Sequence, residues 1–143
     1  MIAPNVGKGP SDGTRGGKRR LRILVADDER DTVLTMVALL RFEGHEVQGY
    51  YRGHDVLEAA RNDKPDAMIL DIAMPGMSGY AVAQGVREAF GRLSPLLIAI
   101  SGELTSQTDQ MLGTVVGFDH YLVKPADPQQ ILALLAPLTR SAP

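Results

Sequence analysis

Ala67-Met68-Ile69-Leu70-Asp71-Ile72-Ala73-Met74-Pro75-Gly76-Met77-Ser78-Gly79 decides how this chain is read. Four apolar residues run without a break into a carboxylate. A Pro-Gly turn follows, and then a serine that can cap a helix. A short continuous apolar run bounded by turn signals suits a strand buried on both faces of a parallel sheet. Gly76 can supply a positive φ to the turn. The two methionines of the loop read as exposed packing for a partner helix, or, for Met77, as part of a simple turn.

Similar runs lie on either side: Ile23-Leu24-Val25-Ala26, Leu96 to Ile100, and Tyr121-Leu122-Val123. A mixed run, Glu46-Val47-Gln48-Gly49-Tyr50-Tyr51, suits an edge strand. Helical spacing fills the intervals. Residues 30–43 place Val33, Leu34, Val37, Leu39 and Leu40 near one face, and Gly44 stops them. Residues 53–63 carry Val56, Leu57 and Ala60 and end before Pro65. Residues 78–90 carry Ala81, Val82, Val86 and Phe90. Residues 105–116 form a weaker helix closed by Gly117, and 127–138 carry Ile131, Leu134, Leu135 and Leu138 behind Pro128. Five strands alternating with five helices predict a (βα)5 doubly wound parallel sheet. A ligand site in such a sheet belongs at the carboxyl ends of the strands.

The residues at those ends carry charge. Asp27-Asp28 follow the first strand and Asp71 the third, Ser101-Gly102 end the fourth, and Lys124-Pro125 end the fifth. Crowded carboxylates repel one another. A hard divalent cation relieves that repulsion, and Mg2+ prefers carboxylate oxygens. A lysine and a hydroxyl beside them add donors for a phosphoryl group, and one carboxylate could be the nucleophile of an acyl phosphate. Each residue alone has an ordinary reading. Asp27 and Asp28 could cap the first helix, and Asp71 and Ser101 could be turn residues. Lys124 could be a solvated charge. Their joint placement on successive strand ends favours a site.

Composition bounds the rest. The 143 residues suit one domain. With no Cys, disulfide frameworks, thiolate metal sites and cysteine nucleophiles are excluded. No apolar run approaches the roughly 20 residues of a membrane span. The absence of a secretory hydrophobic region makes a cytoplasmic protein the expectation. The net charge is −2, yet residues 1–20 carry five basic side chains against Asp12, so the rest is acidic and offers no broad nucleic-acid surface. Residues 1–20 are Gly-rich and read as a disordered tail or linker, with residues 21–140 as the domain. Lys18-Arg19-Arg20 could touch an acidic partner or nucleic acid, or could simply be part of a solvated tail. His45, His54 and His120 lack metal-ligand spacing and read as surface histidines.

The segments Ile23-Leu24-Val25-Ala26-Asp27-Asp28, Ala67 to Gly79, Ile98-Ala99-Ile100-Ser101-Gly102 and Tyr121-Leu122-Val123-Lys124-Pro125 together resemble the receiver domain of two-component response regulators. The resemblance covers about residues 21–140. It implies a flavodoxin-like sheet of order 2-1-3-4-5. It implies that Asp71 accepts a phosphoryl group from the phosphohistidine of a histidine kinase or a histidine phosphotransfer protein. Asp28 and Asp71 would then coordinate Mg2+ directly, Asp27 mostly through water, and the Ala73 backbone carbonyl would add a ligand. Ser101 would hydrogen-bond the phosphoryl group and Lys124 would pair with its oxygens, aimed by a cis peptide before Pro125. Tyr121 would swing inward with Ser101 as the switch. The output partner is unknown, and a homodimer through helix 4, strand 5 and helix 5 is a further expectation.

Ala73 cannot hold an attacking water with its side chain, whereas Glu103 could orient one or repel an anion. Nothing after the fifth helix suggests a DNA-binding or enzyme domain. The chain is therefore expected to act as a stand-alone regulator, a phosphate shuttle or the terminal receiver of a hybrid kinase, and not as a turnover enzyme. A phosphorylation-independent docking module of the same fold is the alternative. A Mg2+-dependent phosphohydrolase would want an acid where Ala73 stands. A nucleotide-binding module would want a Gly-rich loop where Asp27-Asp28-Glu29-Arg30 stands.

Overall fold

The computed structural model describes residues 14–15, 18–102 and 107–140. The five sheet strands are β1 (Arg22–Ala26), β2 (Glu46–Tyr50), β3 (Ala67–Asp71), β4 (Leu96–Ser101) and β5 (His120–Val123). The helices between and after them are α1 (Arg30–Phe42), α2 (Gly53–Asn62), α3 (Gly79–Phe90), α4 (Gln107–Val116) and α5 (Pro128–Thr139). All neighbouring strands are parallel, in the order β2-β1-β3-β4-β5. This is the expected flavodoxin-like arrangement.

Alternation along the strands builds two cores. Ile23, Val25, Ala67, Ile69, Ile98 and Ile100 face one side, against Met36 and Leu40 of α1 and Ile131 and Leu135 of α5. Leu24, Ala26, Met68, Leu70, Leu97 and Ala99 face the other, against Val56, Leu57 and Ala60 of α2 and Val82, Ala83 and Val86 of α3. Both faces of β3 are covered, which is why its sequence is apolar throughout. Gly49 lets α1 come close: a Cβ there would strike Val33.

Helix starts follow local chemistry. Ser78 Oγ accepts the Ala81 amide at the head of α3, and Asp127 accepts the Gln129 amide at the head of α5, with Pro128 next. At α1 the cap position is Glu29, with no side-chain cap bond. Asp27 and Asp28 are therefore not its capping residues.

Several sequence expectations need correction. Leu34 is not on the packed face of α1; it is exposed, and the buried stripe is Val33, Met36 and Leu40, at helical spacings of three and four. Met74 is not exposed packing but part of the core. β5, expected among the strands covered on both faces, is a half-exposed edge, since nothing pairs beyond it. His45 is not a surface histidine. It is buried at the amino end of the sheet, where its Nδ1 accepts the Leu21 amide at 3.1 Å. Burial disfavours its imidazolium, so its pKa is lowered from 6.5; Glu43 and Asp66 oppose the shift, while Arg20 and Lys18 add to it.

The basic cluster at residues 18–20 runs along the domain. Lys18–Arg19 pairs antiparallel with Thr14–Arg15, and Lys18 also bridges Arg140 just beyond α5. One Asp66 oxygen accepts from the Arg19 guanidinium at 2.8 Å, and the other accepts the Arg22 amide at 2.8 Å. Nearby, the Arg87 guanidinium donates to the carbonyls of Gly117, Gly91 and Pro95 and to Asp119 Oδ2. It ties the end of α3 to the segment between α4 and β5 and to the start of β4. Among the described residues no helix is long and apolar enough to cross a membrane.

Candidate functional site

The carboxyl edge of the sheet is organised by β1 and β3, which pair directly and both end in carboxylates. Asp27, Asp28 and Asp71 each place one oxygen so that all three lie within 4.8 Å of one another. Asp27 and Asp71 are buried, with 2% and 4% of their surface exposed, while Asp28 is open to solvent. Lys124 reaches in from the end of β5, its Nζ 2.7 Å from Asp27 Oδ2 and 3.6 Å from Asp71 Oδ2. The Lys124–Pro125 peptide is cis, as the resemblance implies, and Ser94–Pro95 is cis as well.

Short-range bonds hold the carboxylates in place. Asp27 Oδ1 accepts the Glu29 amide at 2.9 Å, and the Asp27 amide donates to the Tyr50 carbonyl at the end of β2. Asp71 Oδ1 accepts a long bond from the Ala73 amide at 3.4 Å. The chain then turns through Gly76, at φ +81°, into α3. The Gly79 amide returns to the Ile72 carbonyl, and a Cβ on Gly79 would sit 2.5 Å from the Asp71 carbonyl oxygen. Only glycine lets α3 begin this close to the strand end.

The charges do not balance. One ammonium faces three carboxylates. Burial and the neighbouring Asp27 charge push the Asp71 pKa up from 3.8 to about 6, although Lys124 and the Ala73 amide pull it back. Burial works against the Lys124 charge, but Asp27 and Asp71 outweigh it and its pKa is raised. Asp27 Oδ2 is buried without a hydrogen bond of ordinary geometry, 2.7 Å from the Lys124 ammonium. An oxygen-rich site with surplus negative charge and an under-satisfied buried oxygen fits a hard divalent cation.

The remaining expected residues fall at different distances from this centre. Ser101 ends β4, half-buried, and its carbonyl accepts the Lys124 amide at 2.7 Å. Ala73 is exposed in the loop after Asp71. Tyr121 is not among the carboxylates. It lies within β5, opposite Ala99, with its hydroxyl 2.6 Å from that of Tyr80. Glu103 lies outside the described residues. Sequence reasoning missed Tyr80, which meets Tyr121 only through the fold, and Phe118, three residues before Tyr121, which no local pattern marks.

A flavodoxin-like sheet with an acidic cluster and a lysine at its carboxyl edge places the protein among the doubly wound α/β proteins that keep their site on that edge. The chain belongs to the response regulator receiver domain family, whose model matches residues 23–136. It is 32% identical over 122 residues to the transcriptional regulatory protein CreB of Escherichia coli, covering 85% of this chain and 52% of CreB. It is 34% identical over 112 residues to protein PilH of Pseudomonas aeruginosa, covering 78% of this chain and 91% of PilH. The chain thus spans about half the length of CreB and most of PilH. The structure is similar to that of the Vibrio cholerae chemotaxis protein CheY4, with a TM-score of 0.75, 28% identity, and coverage of 81% of this chain and 96% of that one.

Proposed function

We propose that this receiver domain is a phosphoacceptor in a two-component phosphorelay, with Asp71 as the accepting residue. The observation that carries the reading is the placement of the Asp71 carboxylate. It is buried at a strand end beside Asp27, with Lys124 Nζ 3.6 Å away. The donor is the phosphohistidine of a histidine kinase or a histidine phosphotransfer protein. An Asp71 oxygen attacks phosphorus; the phosphorus–nitrogen bond breaks, its electron pair leaves with the imidazole nitrogen, and an acyl phosphate remains. A raised pKa of about 6 still leaves Asp71 mostly ionised, and so nucleophilic, at neutral pH.

Asp27, Asp28, Asp71 and the Ala73 carbonyl would hold Mg2+, which supplies positive charge against the incoming phosphoryl oxygens. Lys124 then pairs with those oxygens and Ser101 donates to them. Phosphorylation draws Lys124 and Ser101 toward Asp71, and β5 with Tyr121 follows. We place the partner-binding change on α4, β5 and α5, where Met111, Leu112, Val115 and Val123 are exposed. That face is also the one we assign to a homodimer. The domain is a cytoplasmic switch, assisting only its own phosphorylation and dephosphorylation.

Intact-mass spectrometry after treatment with acetyl phosphate tests this reading. The expected result is one Mg2+-dependent phosphoryl adduct, absent from Asp71→Asn. An adduct that survives in Asp71→Asn, or none in the wild type with acetyl phosphate or a partner kinase, refutes it.

A further inference from the structure

Tyr80 is the second residue of α3, and Tyr121 is the second residue of β5. Their phenol oxygens are 2.6 Å apart, at the short end for a hydroxyl–hydroxyl bond. Phe118, 5% exposed, lies against both rings. The Tyr80–Phe118 centroids are 6.3 Å apart at 68°, and the Phe118–Tyr121 centroids 6.1 Å apart at 65°, both edge-to-face. The three rings therefore join the head of α3 to the middle of β5.

Both ends of this connection lead to the acidic site. The residue before Tyr80 is Gly79, whose amide donates to the Ile72 carbonyl and where a Cβ would strike the Asp71 carbonyl oxygen. Tyr121 is three residues before Lys124, along a strand paired to β4 up to Ser101. The Lys124 amide is itself bonded to Ser101 O. Any change in the separation of Tyr80 and Tyr121 thus changes how the Lys124 end of β5 sits against the Asp71 loop. Close-packed interiors transmit such shifts because they have few ways to absorb them.

We propose that the Tyr80–Tyr121 hydroxyl pair, seated on Phe118, braces the Asp71 loop against the Lys124 strand end, making Tyr80 a positioning residue for the phosphoryl site. This rests on Asp71 being the phosphoacceptor. Tyr80 acts on the site through Tyr121, whose hydroxyl lies 2.6 Å from its own. Loss of its hydroxyl frees the β5 end and costs affinity for a phosphoryl group at Asp71.

The test is a set of four proteins: wild type, Tyr80→Phe, Tyr121→Phe and the double variant. Amide and lysine-ammonium NMR spectra are recorded without metal and during titration with Mg2+ and beryllofluoride. The change from Tyr to Phe removes one hydroxyl and keeps the ring, so folding is preserved. Without metal, each single variant is expected to shift the Lys124 ammonium and Asp71 amide signals in the same way. With Mg2+, each is expected to weaken beryllofluoride binding about two- to tenfold, the worth of one hydrogen bond. The double variant is expected to be no worse than either single one. A merely structural role would lower thermal stability but leave that affinity and its non-additivity unmoved. Unchanged Lys124 and Asp71 signals in Tyr80→Phe, or losses that add in the double variant, overturn the brace. A wild type that ignores beryllofluoride overturns the role of Asp71 instead, and the metal-free spectra then decide the brace alone.

Discussion

Asp66 and Asp71 stand at opposite ends of the third strand, and their carboxylates are in opposite circumstances. Asp66 is partly exposed, and each of its oxygens accepts a 2.8 Å bond, one from Arg19 and one from the Arg22 amide. Asp71 is buried, receives one 3.4 Å bond from the Ala73 amide, and shares its lysine with Asp27. The same contrast holds for the cations. Arg87 satisfies three carbonyls and one carboxylate, whereas Lys124 serves carboxylates that outnumber it. The amino end of the sheet has its polar groups matched. The carboxyl end keeps a mismatch, three carboxylates against one ammonium, that a divalent cation would relieve. Matched and unmatched charges are thus separated along the strands, not between the layers.

The contrast is broken or sharpened by three substitutions. The largest effect is expected at the matched end. Arg87→Met leaves the Gly117 and Pro95 carbonyls without their donor and should cost about 2–4 kcal/mol in urea unfolding. A loss below about 1 kcal/mol, the usual worth of a surface ion pair, would mean that the amino end is not the anchored one. At the mismatched end the sign should reverse. Asp71 binds its proton more tightly in the folded state, with a pKa of about 6 against 3.8. Its contribution is therefore favourable at acid pH and is lost as pH rises through about 6. Asp71→Asn should stabilise the metal-free protein by about 1–2 kcal/mol at pH 7.5, with the gain gone near pH 4. The upper figure is held down because Asp27 and Lys124 readjust when Asp71 changes. An Asn variant no more stable than wild type at pH 7.5 would remove the claimed mismatch.

The smallest effect belongs to His45. Its folded pKa lies below 6.5, so the stability it lends is complete above pH 6.5 and is lost as pH falls through the folded value. Protonation of Nδ1 would also remove the acceptor of the Leu21 amide. Thermal melts between pH 7.5 and 5 should fall less steeply in His45→Asn, which keeps an acceptor but no titrating ring. An unchanged slope would assign the acid sensitivity to other groups.

The site was legible in the sequence because its residues end apolar runs. Asp27, Asp71 and Lys124 each stand where a strand stops, and in a parallel sheet the strand ends share an edge. The roles proposed for Ser101 and Tyr121 rest only on the family resemblance, since neither residue type points to phosphoryl chemistry alone. The sheet was legible for the same reason as the site: burial on both faces leaves uninterrupted apolar runs. What escaped were contacts between elements distant in sequence. Leu34 and Val33 are adjacent on a helix, and only the angle at which α1 lies on the sheet buries one and exposes the other. His45 follows a helix-stopping glycine and looks like a turn residue until Leu21 closes over it. Arg87 sits in the last turn of α3, where an arginine is ordinary, and its partners lie up to 32 residues away. Tyr80 is likewise defined by a residue 41 positions along the chain.

The bridge between Lys18 and Arg140 has a consequence for modular architecture. Bridged antiparallel residues stand about 5 Å apart. The polypeptide thus comes into the domain and goes out of it through a single doorway, on the side away from Asp71. A neighbour joined at either side of that doorway leaves the acidic edge clear. The whole unit could also be spliced into a loop of a host protein without prising the host's loop ends apart.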